Sequence, residues 1–310
     1  RMPGVARIIA AQLTARLPAG MLSLSVLLHV ERVHGSYAAA GLVLATMSIG
    51  QAVSGPLTSR WMGAWGMRRV LSLTLVVCSS AVLTLALVPL PVPAMMAVAL
   101  VAGLSTPPIQ PAVRTIYPKM VTAKQLTPLF ALDASAQEII WVAGPVVATL
   151  VATQIATSAA ILLCAAMLII GGIWFISSPE VGRVRIPRSK RRFGVVLRKP
   201  TVLLTTVVGF LLVGSCAAVE VGVVAVFGHD GPQAGFILAI WSIGSLVGGL
   251  ALGHVPISPW SLARRMTVVF IGTAAAIIMV DEFWWLSIML LVSGIGLAPA
   301  LAVIFASVSS

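Results

Sequence analysis

Long apolar stretches separated by short polar or turn-forming segments organise this sequence from end to end. The four longest runs without Asp, Glu, Lys or Arg are residues 70–113, 139–179, 231–263 and 283–310. About 20 apolar residues in a helix cross a hydrocarbon core of roughly 30 Å, so each longer run has room for two membrane spans. Charges, prolines and glycines divide the chain into ten predicted spans, at about 7–30, 36–59, 70–90, 94–117, 128–152, 155–176, 201–227, 234–254, 266–282 and 284–308.

Composition places the chain among membrane proteins. It is 59% hydrophobic and only 9% charged, with a mean hydropathy of +1.07, whereas soluble domains carry about 25% charged residues. We therefore predict an all-α polytopic membrane protein. The sequence has no HExxH, P-loop or GxSxG motif, and its three cysteines and four histidines are not spaced as metal ligands. We expect no enzymatic activity, no cofactor and no metal.

Basic residues predict the orientation in the membrane. Of the 20 Lys and Arg residues, 18 fall on one side if the N-terminus is cytoplasmic, while Arg32 falls on the other and Arg16 lies within the first span. Cytoplasmic loops are enriched in Lys and Arg, so we predict a multi-pass protein of the cell membrane with a cytoplasmic N-terminus.

The net charge of +12 is then explained by the basic residues of the cytoplasmic loops. We expect anionic lipid headgroups as its partner, and no nucleic acid.

A basic segment divides the chain. Residues 177–200 hold eight basic residues, namely Arg183, Arg185, Arg188, Lys190, Arg191, Arg192, Arg198 and Lys199. The segment is predicted as a cytoplasmic linker between an N-terminal six-span bundle, 1–176, and a C-terminal four-span bundle, 201–310. Glycines five apart end both the second and the eighth spans, at 50 and 55 and at 244 and 249, and a double arginine follows each pair. This repetition, six spans apart, is typical of two parallel halves.

In these motifs the chain resembles the major facilitator superfamily. That family's loop between helices two and three follows the pattern G-x-L-a-D-R-x-G-R-R/K. The matching residues are Gly55, Leu57, Arg60, Gly66, Arg68 and Arg69, called the gate motif below. Ser59 stands in place of the family's acid, and the spacing from Arg60 to Gly66 is longer. The resemblance implies a monomeric two-bundle transporter working by alternating access, with the gate motif holding the halves together when the protein faces outward.

A second resemblance concerns the direction of transport. Gly144-Pro145 looks like the core of the antiporter signature of drug/proton exchangers, and residues 132–145 look like arabinose-efflux-like members of the family. This implies proton-coupled efflux of a small molecule. Family members usually have twelve helices, so we expect helices eleven and twelve to be missing from this chain.

Ionisable residues inside predicted spans are the main candidates for coupling, because each costs about 2.5–3.5 kcal/mol to insert unless it has a partner or a function. Arg16 is tenth in the first span and Glu138 eleventh in the fifth, each roughly 15 Å deep. We predict a contact between them, either as a proton or substrate site or as a static structural pair. Asp133 is shallower and is expected to meet basic loop residues or Arg114. Glu220 is a second proton carrier or lines the outer mouth.

Other residues could shape the pathway. Pro107, Pro108 and Pro111 cannot lie in an unbroken helix, and they predict an interruption of the fourth span near the cavity, with freed carbonyls meeting Gln110 or water. Gly144-Pro145 is either a hinge or an ordinary kink. Polar and aromatic residues within spans are expected to line a cavity or to pack in the bundle, and these are Gln12, Gln110, Trp141 and Trp241.

These observations favour a secondary active transporter of a small molecule, most of all one that exports by proton coupling. An uptake permease for a small metabolite is the first alternative. A non-transporting signalling or scaffold protein with the same fold is the second, and it would be favoured if Arg16 and Glu138 faced lipid or tight packing.

Overall fold

A computed structural model describes residues 4–184, 200–227, 232–252 and 260–309. The described chain is helical and contains no strand. Its helices are α1 Val5–Arg16, α2 Leu22–His34, α3 Tyr37–Trp65, α4 Met67–Leu87, α5 Val92–Leu104, α6 Ile109–Met120, α7 Ala123–Gln154, α8 Thr157–Ser177, α9 Pro179–Arg183, α10 Pro200–Phe227, α11 Gln233–Leu252, α12 Ser261–Ala276 and α13 Phe283–Ser309. Most of the predicted basic linker, residues 185–199, lies outside the described residues.

The helices confirm an all-α polytopic membrane protein. Nine helical segments of the described chain are long and apolar enough to cross a membrane, namely Val5–His34, Tyr37–Trp65, Met67–Leu87, Val92–Met120, Thr157–Ser177, Val202–Phe227, Gln233–Leu252, Ser261–Met279 and Phe283–Ile304. The remaining predicted span, 128–152, falls within α7, where several side chains lie outside the described residues. Large apolar side chains face outward, Phe210 being 76% exposed and Phe270 72%, as lipid-facing surfaces do.

Two spans are broken by proline. In the first, α1 ends at Arg16 and a 3₁₀ turn containing Pro18, Leu17–Gly20, precedes α2. In the fourth, α5 ends at Leu104 and α6 begins at Ile109, directly after Pro108. Proline lacks the N–H of the helix ladder and crowds the preceding turn, which explains both breaks.

The freed backbone at the second break is satisfied by a neighbouring helix. The carbonyl oxygen of Thr106 accepts a hydrogen bond from the buried Ser54 hydroxyl of α3, at 3.3 Å. The sequence predicted Gln110 or water as the partner of the freed carbonyls. For the Thr106 carbonyl the described partner is Ser54, because α3 packs closely enough for its side chain to reach, and the roles of Gln110 and of water stay predictions. Pro111 lies in the first turn of α6, where a missing N–H costs little.

The chain divides into two compact units. The first comprises Arg1–Ile140 and Val147–Ser189, and the second comprises Trp141–Val146 and Lys190–Ser310. One core of the first unit joins α1, α4, α6 and α8 with the short α9 and with single residues of α3 and α7, and it includes Ile8, Leu71, Ile116 and Phe175. A smaller core in the second unit joins α10, α12 and α13 through Leu212, Val269, Ala300 and Ile304.

An equivalent pair of helices in each unit packs through glycines. In the first unit, a Cβ at Gly103 of α5 would collide with the Met47 carbonyl of α3, and one at Gly50 would collide with α5 backbone. In the second, Gly244 of α11 and Gly294 of α13 make the same kind of contact with each other's helices. Small residues let membrane helices approach this closely. The positions are equivalent in the repeat that the glycine pairs predict.

Candidate functional site

Asp133 is the centre of a buried polar cluster in the first unit. Its Oδ1 atom accepts hydrogen bonds from Gln12 Nε2 at 2.8 Å, from Arg16 Nη1 at 3.0 Å and from the Tyr117 hydroxyl at 3.4 Å. Arg16 and Asp133 form an ion pair over the same 3.0 Å. We refer to Gln12, Arg16, Tyr117 and Asp133 as the Asp133 cluster.

Three helices supply the cluster, and local sequence sets its geometry. Gln12 and Arg16 are four residues apart on α1 and so lie on one face, and Arg16 Nη1 donates to Gln12 Oε1 at 2.8 Å. Tyr117 belongs to α6 and Asp133 to α7. The break at Pro18 ends α1 at Arg16 itself, so the guanidinium lies at a helix terminus inside the first span.

The cluster is shielded from solvent. Arg16 and Asp133 are 8% and 7% exposed, and Gln12 and Tyr117 are fully buried. Burying a charge is costly unless it is paired and hydrogen-bonded. Asp133 meets this condition through three donors, whereas Arg16 meets it only in part. Its Nη2 atom is buried without a hydrogen-bond partner among the described residues.

The described partner of Arg16 is therefore Asp133. The predicted partner, Glu138, has a side chain outside the described residues, so an Arg16–Glu138 contact stays a prediction. The expected placement of Asp133 against basic loop residues or Arg114 is wrong as to its ionic partner. The physical reason is that α7 begins at Ala123, five residues before the predicted start, which moves Asp133 deeper into its helix.

Tyr117 was missed by the sequence analysis. It is fully buried and in hydrogen-bond reach of Asp133. The available signal was a tyrosine on the apolar face of an amphipathic helix, since a buried phenol normally finds a polar partner. A second polar contact, from Gln110 Nε2 to Gln137 Oε1 at 3.4 Å, joins the start of α6 to α7. This contact involves one of the predicted cavity residues.

Comparison with known proteins decides the family. The sequence pattern of the Major Facilitator Superfamily matches residues 8–310, nearly the whole chain. The chain belongs to the Major Facilitator Superfamily. No curated protein matches the sequence.

Solved transporters of the superfamily share the fold. A crystal structure of the nucleoside transporter NupG, in a mutant form, matches with a TM-score of 0.74 at 14% identity, over 98% of this chain and 85% of that one. A bacterial homolog of the human lysosomal transporter Spinster, inward-facing and unoccupied, matches with a TM-score of 0.68 at 12% identity, over 100% and 78%. Its occupied form gives 0.64 at 11%, over 98% and 76%. These likenesses show the fold, and the family match over residues 8–310 places the chain in a family of multi-pass membrane transporters for small molecules.

The superfamily's gate motif forms a tight helix-to-helix connection. Gly66 alone separates α3 from α4 and has a positive φ of 93°, a conformation that glycine adopts without strain. Arg68 donates from Nε to the Ile176 carbonyl and from Nη2 to the Ser178 carbonyl, each at 3.2 Å. These carbonyls lie at the end of α8, so Arg68 caps a helix of its own unit.

The other residues in and beside the gate motif are bonded within their own helix or are at least partly exposed. Ser59, which replaces the family's acid, donates to the Gly55 carbonyl of its own helix at 2.7 Å. Arg69 is exposed and Arg60 is half-buried. Nearby, Arg7 and Glu180 form an ion pair at 2.9 Å, which ties the start of α1 to α9. A role for the motif in closing the transporter stays a prediction.

The remaining candidates are spread through the spans. Glu220 is half-buried on α10 and makes interactions there. Trp141 is 42% exposed on α7, whereas Trp241 of α11 is 9% exposed and its indole N–H has no partner among the described residues. The helix α7 runs without interruption through Gly144-Pro145. Cavity, coupling and hinge roles for these residues stay predictions.

Proposed function

We propose that the chain is a proton-coupled secondary transporter and that Asp133 is the group that takes up and releases the proton. The observation that supports this is the Asp133 cluster, in which one buried carboxylate oxygen accepts from three side chains of two other helices. An ionisable residue inside a membrane span is by default a candidate for proton relay. Here the Asp133 carboxylate is also paired directly with Arg16. A change in the charge of Asp133 would therefore change how strongly Arg16 is held.

Protonation of Asp133 would change how α1, α6 and α7 hold together. As a carboxylate, Asp133 attracts the Arg16 guanidinium and accepts from Gln12 and Tyr117. A neutral carboxyl group keeps weaker, uncharged hydrogen bonds and no longer balances the buried positive charge. The cost of that unbalanced charge favours a second arrangement of the helices in which Arg16 finds another partner. Alternating access needs such a pair of arrangements with different protonation states.

Export is the direction that we propose first. The resemblance of Gly144-Pro145 to the antiporter signature supports it, and the chain then removes a small molecule from the cell in exchange for protons. Uptake is the second candidate. It is supported by the ion pair itself, because a substrate group that displaces Asp133 from Arg16 leaves a carboxylate ready to bind a proton that travels with the substrate.

The remaining parts of the proposal follow from charge distribution. We place the transporter in the cell membrane as a monomer, with its N-terminus in the cytoplasm and the basic segment 177–200 against anionic lipid headgroups. Bundles at 1–176 and 201–310 would move against each other during the cycle. A signalling or scaffold protein would not need a proton-dependent ion pair, and this separates it from a transporter in the test below.

The test compares transport in vesicles with and without a pH gradient. The probes are ethidium, a cation, uridine, a neutral nucleoside, and the anions benzoate and uridine monophosphate. Each is tested in everted and in right-side-out vesicles carrying the full chain. An exporter accumulates its probe in everted vesicles that are acidic inside, and an uptake permease does so in right-side-out vesicles that are acidic outside. Asp133→Asn should abolish accumulation driven by the gradient, while exchange of labelled for unlabelled probe continues.

A second measurement needs no substrate. Infrared difference spectra on a pH jump should contain a protonated-carboxyl band that disappears in Asp133→Asn. The matched control is Asp281→Asn, the same change at an exposed position outside the cluster, which should keep both the band and the transport. Gradient-driven accumulation that survives in Asp133→Asn would refute the assignment of the proton to Asp133.

A further inference from the structure

Among the described residues, only one of the two terminal nitrogens of the Arg16 guanidinium has hydrogen-bond partners. Its Nη1 atom donates to Gln12 Oε1 at 2.8 Å and to Asp133 Oδ1 at 3.0 Å. Its Nη2 atom is buried and has no hydrogen-bond partner in the part of the chain that the structure describes. A guanidinium and a carboxylate can pair through two parallel hydrogen bonds, yet Asp133 engages this fork at one nitrogen through one oxygen.

The charges around the cluster favour a negative ligand. Asp133 contributes one negative charge, and its Oδ1 already accepts from Gln12, Arg16 and Tyr117. Arg114, exposed on α6, acts on Arg16 electrostatically with a second positive charge. The Glu138 side chain lies outside the described residues. Arg16 Nη2 carries N–H donors that have no acceptor among the described residues. Inside a membrane span, a negatively charged acceptor would satisfy both these donors and the positive charge.

We infer that the substrate carries an anionic group, a carboxylate or a phosphate, which binds Arg16 at Nη2 beside Asp133. The inference rests on the proposed transport function and names the chemical class of its substrate. Arginine suits this task because its planar fork presents two nitrogens to two separate oxygen acceptors and stays charged at any physiological pH. Asp133 keeps Nη1 and thereby orients the fork.

Proton and anion then bind together. An ionised Asp133 repels a second negative group at the same guanidinium, and a protonated one does not. The anion should therefore bind more tightly as the pH falls, and the proton should move in the same direction as the substrate. Of the two directions proposed above, an anionic substrate at Arg16 therefore favours uptake over export by exchange. An exchange of substrate for protons would instead require the two to compete.

Thermal stability of the purified full chain in detergent tests the inference, because a ligand that binds only the folded state raises Tm. The carboxylate probes are lactate, succinate and benzoate, and the phosphate probes are inorganic phosphate, glycerol phosphate and uridine monophosphate. Lactamide, benzamide and uridine are the matched neutral compounds. We expect at least one anion to raise Tm, and more so at lower pH, while its neutral counterpart does not. Which anion class responds distinguishes carboxylate from phosphate recognition.

Matched arginine variants assign the effect to Nη2. Arg16→Lys keeps the positive charge but loses the fork, and should weaken binding of that anion by about tenfold or more, equivalent to about 1.4 kcal/mol. Arg264→Lys is the same change at an exposed position of α12 and should leave binding unaltered. Asp133→Asn, which removes the competing charge, should tighten binding and remove its pH dependence.

Several results would overturn the inference. They are no stabilisation by any anion of the panel, equal stabilisation by an anion and its neutral counterpart, or equal binding to wild type and Arg16→Lys. If Arg16→Lys is too unstable to measure, the pH dependence and the Asp133→Asn comparison decide. The proton role of Asp133 is tested separately by the infrared band and by gradient-driven transport, so either idea can fail while the other stands.

Discussion

At the scale of single residues, the ion pair between Arg16 and Asp133 joins α1 to α7, and the hydrogen bond from Tyr117 to Asp133 adds α6. Both side chains are more than nine-tenths buried, and removing one partner of such a pair leaves an uncompensated charge at a cost of about 3–5 kcal/mol. Gln12 and Tyr117 lower that cost for the intact pair by completing the hydrogen bonds of Asp133. The pair should therefore affect how much folded protein is obtained, and it is also the candidate site for coupling transport to protons.

Charge-swap variants test which carboxylate is the structural partner of Arg16. Arg16→Gln should lower the thermal stability of the purified protein strongly, because Asp133 is left buried without its cation. The double variant Arg16→Asp with Asp133→Arg should recover part of the loss, since it restores opposite charges over the same separation.

The parallel swap Arg16→Glu with Glu138→Arg discriminates between the two acids. We expect it to remain as unstable as the single variants, because Asp133 would then face another carboxylate. Recovery by this swap, and not by the Asp133 swap, would instead favour the Arg16–Glu138 contact predicted from sequence depth.

The choice between Asp133 and Glu138 shows how one boundary limits a prediction. Depth matching pairs Arg16 with the eleventh residue of the fifth span, and from a start at 128 that residue is Glu138. The helix starts at Ala123, so the eleventh residue is Asp133. Gln125 accepts from the Thr122 N–H at 3.3 Å, and the Thr-x-x-Gln pattern was the sequence signal for this earlier start.

At the scale of elements, close helix pairs depend on glycine. The contact of Gly103 with the Met47 carbonyl and that of Gly244 with the Leu291 carbonyl leave no room for a methyl group. Extra carbon in a well-packed contact costs about 1–3 kcal/mol. In an open part of a helix the same change gains up to about 1 kcal/mol of helix propensity in water.

Two alanine variants should therefore change stability in opposite directions. Gly103→Ala should lower the Tm of the purified protein, because α3 and α5 must separate to admit the methyl group. Gly41→Ala lies on α3 as well, where nothing is within 4 Å of the added carbon, and it should leave Tm unchanged or slightly raised. Equal effects from both variants would show that the glycine contact does not hold these helices together.

The cap that Arg68 places on α8 predicts a local effect. A cation near the last carbonyls of a helix contributes about 0.3–1 kcal/mol, and Arg68 donates to the carbonyls of Ile176 and Ser178. In Arg68→Ala, amide hydrogen exchange at the end of α8 and in α9 should quicken by a few-fold. Arg69→Ala removes an exposed neighbour of the same charge and should leave exchange there unaltered.

The bounds of a helix were predictable from sequence where a single physical effect determines them. Which neighbouring helix each side chain contacts was not predictable. The length of apolar runs is set by the thickness of the hydrocarbon, so the span at 70–90 corresponds to α4 at Met67–Leu87 and the span at 155–176 to α8 at Thr157–Ser177. The break at Pro107-Pro108 follows from proline chemistry alone. The neighbour that satisfies it, Ser54, depends on how α3 packs, which no local pattern encodes.

At the scale of the whole molecule, the two halves repeat more than the glycine pairs. Gly103 and Pro108 are five residues apart in the fourth span, as are Gly294 and Pro299 in the tenth. In each unit a polar side chain donates to a carbonyl near that proline: Ser54 to Thr106 at 3.3 Å, and the buried Arg265 to Pro299 at 2.7 Å. Equivalent prolines thus have their backbone supported by different residue types, which is expected of halves that have diverged under the same packing constraint.

The asymmetry of charge makes a last prediction about the whole chain. Eighteen of 20 basic residues lie on one side of the predicted topology, and such a bias orients membrane proteins with that side in the cytoplasm.

Cysteine introduced at the exposed Val88, between the third and fourth spans, should react with a membrane-impermeant maleimide added to intact cells. Cysteine at the exposed Trp65, between the second and third spans, should react only after the membrane is opened. The native thiols of Cys78 and Cys164 are buried and Cys216 is half-buried, so the unmodified chain gives a low background. Both positions leave the charge distribution unchanged, and the opposite labelling pattern would invert the predicted orientation and put Arg68 and the basic segment outside the cell.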